Sequence, residues 1–162
     1  MLIPLFLYEK KLLRRPTFYL SAWLESHRDQ YVQRLRALCD GGAAWTAWCE
    51  FFLQGVEEQA VKNAQIVRAI LELYDRLKLQ VLGLTHSQYA VPLLDQAFRR
   101  PVFQSGHLKF GDRSPSKPAV ANLLRALKKG KVLKVIREGS GRRPTVYALA
   151  ELINVCEGKR VL

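Results

Sequence analysis

Residues 114–149 constrain the fold more than any other stretch of this chain. They read as an amphipathic helix with a basic outer face, followed by a basic two-stranded hairpin. Val120, Leu123, Leu124 and Leu127 fall at i, i+3, i+4 and i+7, which makes one apolar stripe of a helix over 114–130. Ser114 and Ser116 are candidate N-caps, and proline is tolerated in the first turn, where its missing N–H has no partner to lose. Gly130 is positioned to supply a left-handed cap that ends the helix.

Opposite the stripe lie Pro118, Asn122, Arg125 and Lys129, with the small Ala121 beside them. Small side chains let a helix approach a major groove closely. Asn is suited to adenine edges, and Arg to guanine edges or phosphate. Val132–Ile136 and Thr145–Leu149 are rich in β-branched and apolar residues, and Glu138-Gly139-Ser140-Gly141 between them reads as a turn. Arg142 and Arg143 then sit at the hairpin tip, within reach of phosphates or a minor groove. This order is the sequence outline of a winged helix-turn-helix. The same outline also serves purely structural and protein-binding modules.

Charge follows the proposed module. The net charge of the 162 residues is +12. Residues 81–162 hold 15 Lys and Arg against 5 Asp and Glu, whereas residues 1–80 hold 11 against 9. A field of that sign attracts polyanions, and the attraction weakens with salt. A basic surface kept for solubility or for an acidic protein has the same composition.

Other chemistry is sparse. Cys39, Cys49 and Cys156 show no CxxC spacing, so neither a disulfide framework nor a zinc site is expected, and a reducing cytoplasm is the natural setting. His27, His86 and His107 are scattered without ligand spacing. No metal, cofactor or catalytic residue is expected. No segment is long enough to span a membrane. The apolar run at residues 1–8 has no basic residue before it and no small-residue cleavage site after it, so it is not expected to be a signal peptide.

The remainder reads as helical. A short helix is expected over 2–11, and one or two over 18–39 with Trp23, Tyr31, Leu35 and Leu38 in the core. A long helix follows over 44–80, roughly 55 Å in length. Its apolar stripe runs Trp45, Trp48, Cys49, Phe52, Val56, Ala60, Ala64, Val67, Leu71, Tyr74, Leu77 and Val81. Gly83–Ser87 looks like a joint, which sets the expected domains at 1–82 and 83–162. After it, a helix is expected over 88–98 with Val91, Leu94 and Phe98 inward. Shorter helices are expected over 105–110, with Leu108 inward, and 149–156. The fold class is therefore mainly α with a small β-hairpin wing. Residues 2–8 are apolar on nearly every face, so that helix should be enclosed by its successors or by another polypeptide.

A family resemblance rests on particular residues. They are Leu2-Ile3-Pro4-Leu5-Phe6-Leu7, Pro16-Thr17-Phe18-Tyr19-Leu20-Ser21, Arg28-Asp29-Gln30-Tyr31, and the run Trp45-Thr46-Ala47-Trp48-Cys49-Glu50-Phe51-Phe52-Leu53-Gln54-Gly55-Val56. Residues 2–80 resemble the segment that follows the catalytic motif in Fic-domain proteins (filamentation induced by cAMP). Residues 88–155 look like the winged helix in which many members of that family end. Ser116-Lys117-Pro118-Ala119, Asn122, Leu127, Gly130 and Val132-Leu133 match its recognition-helix pattern.

The resemblance implies AMP transfer to a protein hydroxyl through a motif His-Pro-Phe-x-x-Gly-Asn-Gly-Arg. In that motif the His acts as general base and the Gly-rich turn holds phosphate. The motif does not occur in these 162 residues, and His27 is not followed by proline. The expectation is therefore a non-catalytic, Fic-related protein that binds double-stranded DNA. Ser116 and Lys117 would meet phosphate, Asn122, Arg125 and Lys129 would face the groove, and Arg142 and Arg143 would act from the wing. Two alternatives are the C-terminal part of an adenylyltransferase whose N-terminal polypeptide supplies the motif, and a homodimer assembled through residues 2–40.

Overall fold

A computed structural model describes residues 3–12, 20–40, 42–111, 114–141 and 143–162. The protein is mainly helical, with one small three-stranded antiparallel sheet. It divides into two compact units, Met1–Gln65 and Ile66–Leu162. The division falls inside the long helix at Gln65/Ile66, whereas the glycine-bearing stretch at 82/83 had marked it in the sequence. Leu73, Leu77 and Val81 explain the displacement, because all three are buried in the second unit's core.

The first unit contains α1 (Ile3–Glu9), α2 (Ser21–Ser26), α3 (Arg28–Ala37) and the first half of α4 (Gly42–Thr85). Leu20, Trp23 and Phe51 are its buried core, with Tyr31, Trp48, Phe52 and Val56 packed around them. The indole Nε1 of Trp23 donates to Glu58 Oε2 at 2.6 Å, and the ring stacks on His27 at 4.2 Å between centroids. Arg34 Nη1 donates to the Ala47 carbonyl at 3.0 Å and its guanidinium lies over the Phe51 ring, tying α3 to α4. Leu35, expected inside, is exposed. Of the two enclosures expected for the first helix, the one by its own successors is not seen among the described residues: Leu5, Phe6 and Tyr8 are about half exposed.

The apolar stripe of α4 differs from the one its periodicity outlines. Trp48, Phe52, Val56, Tyr74, Leu77 and Val81 are wholly or partly buried, but Trp45, Cys49, Val67 and Leu71 face solvent. Phe51, Gly55 and Gln59 are buried instead, one helical turn apart. The reason is that α4 serves two cores in succession, and a single stripe drawn along 44 residues follows neither.

The second unit is built on the end of α4, α5 (Ala90–Arg99), β1 (Val102–Gln104), α6 (Lys117–Lys129), β2 (Lys134–Arg137), β3 (Val146–Ala148) and α7 (Ala150–Glu157). Its core takes Leu73, Leu77 and Val81 from α4, Leu93 and Leu94 from α5, Leu123, Leu124 and Leu127 from α6, and Phe103, Leu149 and Leu152. On α5, Leu94 is buried as expected. Ala90, Leu93 and Ala97 share that role, while Val91 and Phe98 are only half-buried. Pro92 occupies the first turn, where its missing N–H leaves no intrahelical bond unmade. Tyr74 Oη donates to Asp95 Oδ1 at 2.6 Å, joining α4 to α5.

The sheet order is β1-β3-β2. Val102 faces Ala148, Phe103 faces Tyr147, and Lys134 faces Ala148 from the other side. Strand β1 leaves no signature in the sequence, because three residues are too few for alternation to register. Only Phe103 among them is buried. The short helix expected over 105–110 is a single 3-10 turn, Ser105–His107, and Leu108 beyond it is partly buried against the core. Between β2 and β3 the pairing slips past Ile136, so that Arg137 rather than Ile136 faces Val146.

No helix among the described residues is long and apolar enough to cross a membrane.

Candidate nucleic-acid interface

Helix α6 begins where Ser116 caps it. The Ser116 hydroxyl accepts from Ala119 N at 3.4 Å, and Pro118 follows in the first turn. Ser114, the other cap candidate, donates instead to the Gly111 carbonyl at 3.0 Å.

The C-terminus closes differently from expectation. Gly130 has φ −75°, a conformation open to any residue, and Lys131 takes the left-handed position at φ 58°. Val132 N donates to Leu127 O at 2.9 Å and Lys131 N to Lys128 O at 3.1 Å, the paired bonds of a Schellman closure. Gly130 instead lies close against α4. A Cβ there would fall on Leu84 Cδ1, and its carbonyl accepts from Gln80 Nε2 at 3.0 Å. Both partners belong to α4.

This closure sets how α6 is presented. Leu123, Leu124 and Leu127 are buried beneath it, and Lys117, Pro118, Ala121, Asn122, Arg125, Lys128 and Lys129 are exposed. The structure brings two of the expected residues into contact: Arg125 Nη1 donates to Asn122 Oδ1 at 3.0 Å. Ser116 stands exposed at the helix start, its oxygen engaged in the cap and its O–H proton still available to a phosphate.

The hairpin stands beside α6. Ser140 and Arg143 exchange both backbone hydrogen bonds at 3.0 Å, closing the tip, and Gly141 between them has φ 56°. Arg143 is exposed there. Arg142 lies outside the described residues. Gly139 N donates to Thr145 Oγ1 at 3.0 Å lower down.

Two residues to which the sequence assigns no shared role link the hairpin to the helix. Lys128 Nζ and Glu138 Oε1 form an ion pair at 2.9 Å. Both side chains are more than half exposed, so the pair contributes about 0–1 kcal/mol and acts mainly as a tether. No local spacing signals it, because the partners are ten residues apart across a loop. Lys128 itself was findable as the i+3 neighbour of Arg125.

A cleft of about 620 Å³ opens between α6, residues 105–110 with Ser114 and Pro115, and the β3 side of the hairpin. Lys117, Arg125 and Lys128 line one wall, with Leu108, Phe110 and Tyr147 among its apolar residues. Among the described residues, neither Lys117 nor Lys129 forms a salt bridge. The face thus presents ammonium groups and one braced guanidinium. That arrangement attracts phosphate and can donate hydrogen bonds to acceptors on a neighbouring polyanion.

Cys39, Cys49 and Cys156 are exposed free thiols, and no cluster of three or more His, Cys, Asp or Glu with metal-binding geometry occurs among the described residues. No protein-family model matches the chain, and no curated protein matches it.

Proposed function

We propose that the unit Ile66–Leu162 is a winged-helix module that binds double-stranded DNA, with α6 in the major groove and the β2–β3 hairpin as its wing. The observation that carries the reading is the two-sidedness of α6. Its leucines are buried, while Asn122, Arg125 and Lys129 stand exposed on the opposite face and Lys117 at its start. Small Ala121 and Pro118 leave room for a base edge. The protein acts without catalysis, in a reducing cytoplasm, and its first unit is Fic-related by the resemblance of residues 2–80.

The test is fluorescence anisotropy with a mixed duplex pool, titrated with salt. Binding that falls steeply as salt rises supports phosphate contact. An absence of binding at low salt removes the proposal.

The exposure of Leu5, Phe6 and Tyr8 favours a second reading, in which residues 2–40 meet another polypeptide. That polypeptide would be a second copy, or an N-terminal Fic chain that supplies the AMP-transfer motif. Light scattering at micromolar concentration separates them: a dimer supports the first, and a monomer that pairs only with a motif-bearing chain supports the second.

A further inference from the structure

We propose that Arg125 is the residue through which α6 reads sequence, that the base it reads is guanine, and that Asn122 is its positioning residue. This rests on the DNA-binding reading above.

The argument starts from the contact between the two. Asn122 and Arg125 are at i and i+3 on one exposed helix face, and Arg125 Nη1 donates to Asn122 Oδ1 at 3.0 Å. An Asn that reads adenine uses its amide oxygen as acceptor and its amide nitrogen as donor at the same time. Here one of that oxygen's two acceptor sites is taken by the guanidinium, so the amide meets adenine squarely only by giving up or straining that bond. A guanidinium carries five N–H donors in a fixed fork. One is spent on Asn122, and the others remain for the paired acceptors O6 and N7 that guanine alone presents in the major groove.

The bond also restricts Arg125. A long side chain loses rotamer freedom when it orders on a ligand, and bracing it beforehand reduces that loss. Its neighbours on the face do not compete. Pro118 and Ala121 have no side-chain donor, and Lys129 is a mobile ammonium suited to phosphate. Lys128 is directed toward Glu138.

The experiment uses the full chain. A binding site is selected from a random duplex pool, and affinities are then measured for that duplex with each guanine replaced by 7-deazaguanine, which lacks the N7 acceptor. One guanine should be required, with a loss of roughly 2- to 12-fold on its replacement, the worth of one of its two hydrogen bonds. In Arg125→Ala both guanine donors are lost, so the guanine preference should disappear while affinity for unselected duplex falls no further than in Lys129→Ala, which removes one charge from the same face. In Asn122→Ala the preference should persist with weaker binding to the selected site. Both positions are exposed, and thermal melting of each variant checks folding.

If Arg125→Ala discriminates as the parent does, or if Asn122→Ala abolishes a preference for adenine, the assignment is overturned. Duplex binding with no dependence on any guanine overturns the assignment alone and leaves the DNA reading standing. Failure to bind any duplex overturns both.

Discussion

The ring of Trp23 lies against the backbone of Gly55 so closely that a Cβ at that position would sit 2.5 Å from Trp23 Cε3. The glycine in the middle of α4 is thereby explained by a neighbour rather than by a bend. The ring has little room to yield, since it is buried, stacked on His27, tilted against Phe51 and hydrogen-bonded to Glu58. Helix propensity alone favours Gly55→Ala by up to about 1 kcal/mol. Overpacking costs about 1–3 kcal/mol. The variant should therefore be destabilised, seen as a lower urea midpoint. A midpoint equal to or above that of the parent would show that the ring moves freely.

The two residues after α6 should respond in opposite ways to substitution. Gly130 has an ordinary φ, and the atom that a Cβ would meet belongs to the tip of Leu84, a flexible side chain that is 42% exposed. Gly130→Ala should stay within about 1 kcal/mol of the parent, because rotating Leu84 relieves the contact. Lys131 holds the left-handed conformation, which costs a non-glycine residue about 1–2 kcal/mol. Lys131→Gly should raise stability by up to about 1 kcal/mol once the greater chain entropy of glycine is set against that strain. Thermal melting reads both, and a destabilised Lys131→Gly would contradict the Schellman closure.

Two hydrogen bonds make stability depend on pH. The Trp23 indole donor, followed by the Gln54 amide, holds the Glu58 carboxyl below its usual 4.5. The unfolded chain binds the extra proton between the two values. The contribution is therefore complete above pH 4.5 and is lost as pH falls through the lower folded value. In Trp23→Phe the decline in urea midpoint on acidification should be shallower than in the parent. An identical decline would show that the Trp23 bond does not contribute.

At the alkaline end, the bond to Asp95, then burial, push the Tyr74 phenol above its usual 10.0. The folded state here retains the proton longer, so the contribution is complete below pH 10.0 and is lost as pH rises through the folded value. Tyr74→Phe should lower stability at neutral pH and show a smaller further loss above pH 10 than the parent.

Lys117→Ala with Lys129→Ala tests the phosphate contacts assigned to α6. If each lysine neutralises one phosphate, affinity for unselected duplex should fall and the slope of log K against log salt should flatten by about 2. An unchanged slope in anisotropy titrations would place the phosphate contacts elsewhere.

Local signals in the sequence determined the elements and their chemistry. The i, i+3, i+4, i+7 leucines of α6, the Ser116 cap and the paired apolar runs of the hairpin act within a few residues, so reading along the chain finds them. The same is true of the charge surplus after residue 80. Tertiary structure alone decided what depends on partners distant in sequence. It turned α4 to bury Phe51 and Gln59 rather than Trp45 and Cys49, recruited Phe103 into an edge strand through pairing with Tyr147, and linked Lys128 to Glu138. It also gave Gly55 its purpose, because the ring that leaves no room for a Cβ belongs to Trp23, 32 positions away. A helical period states that one face is apolar. Which face is buried, and where a side chain must be absent, depends on the surface that packs against it.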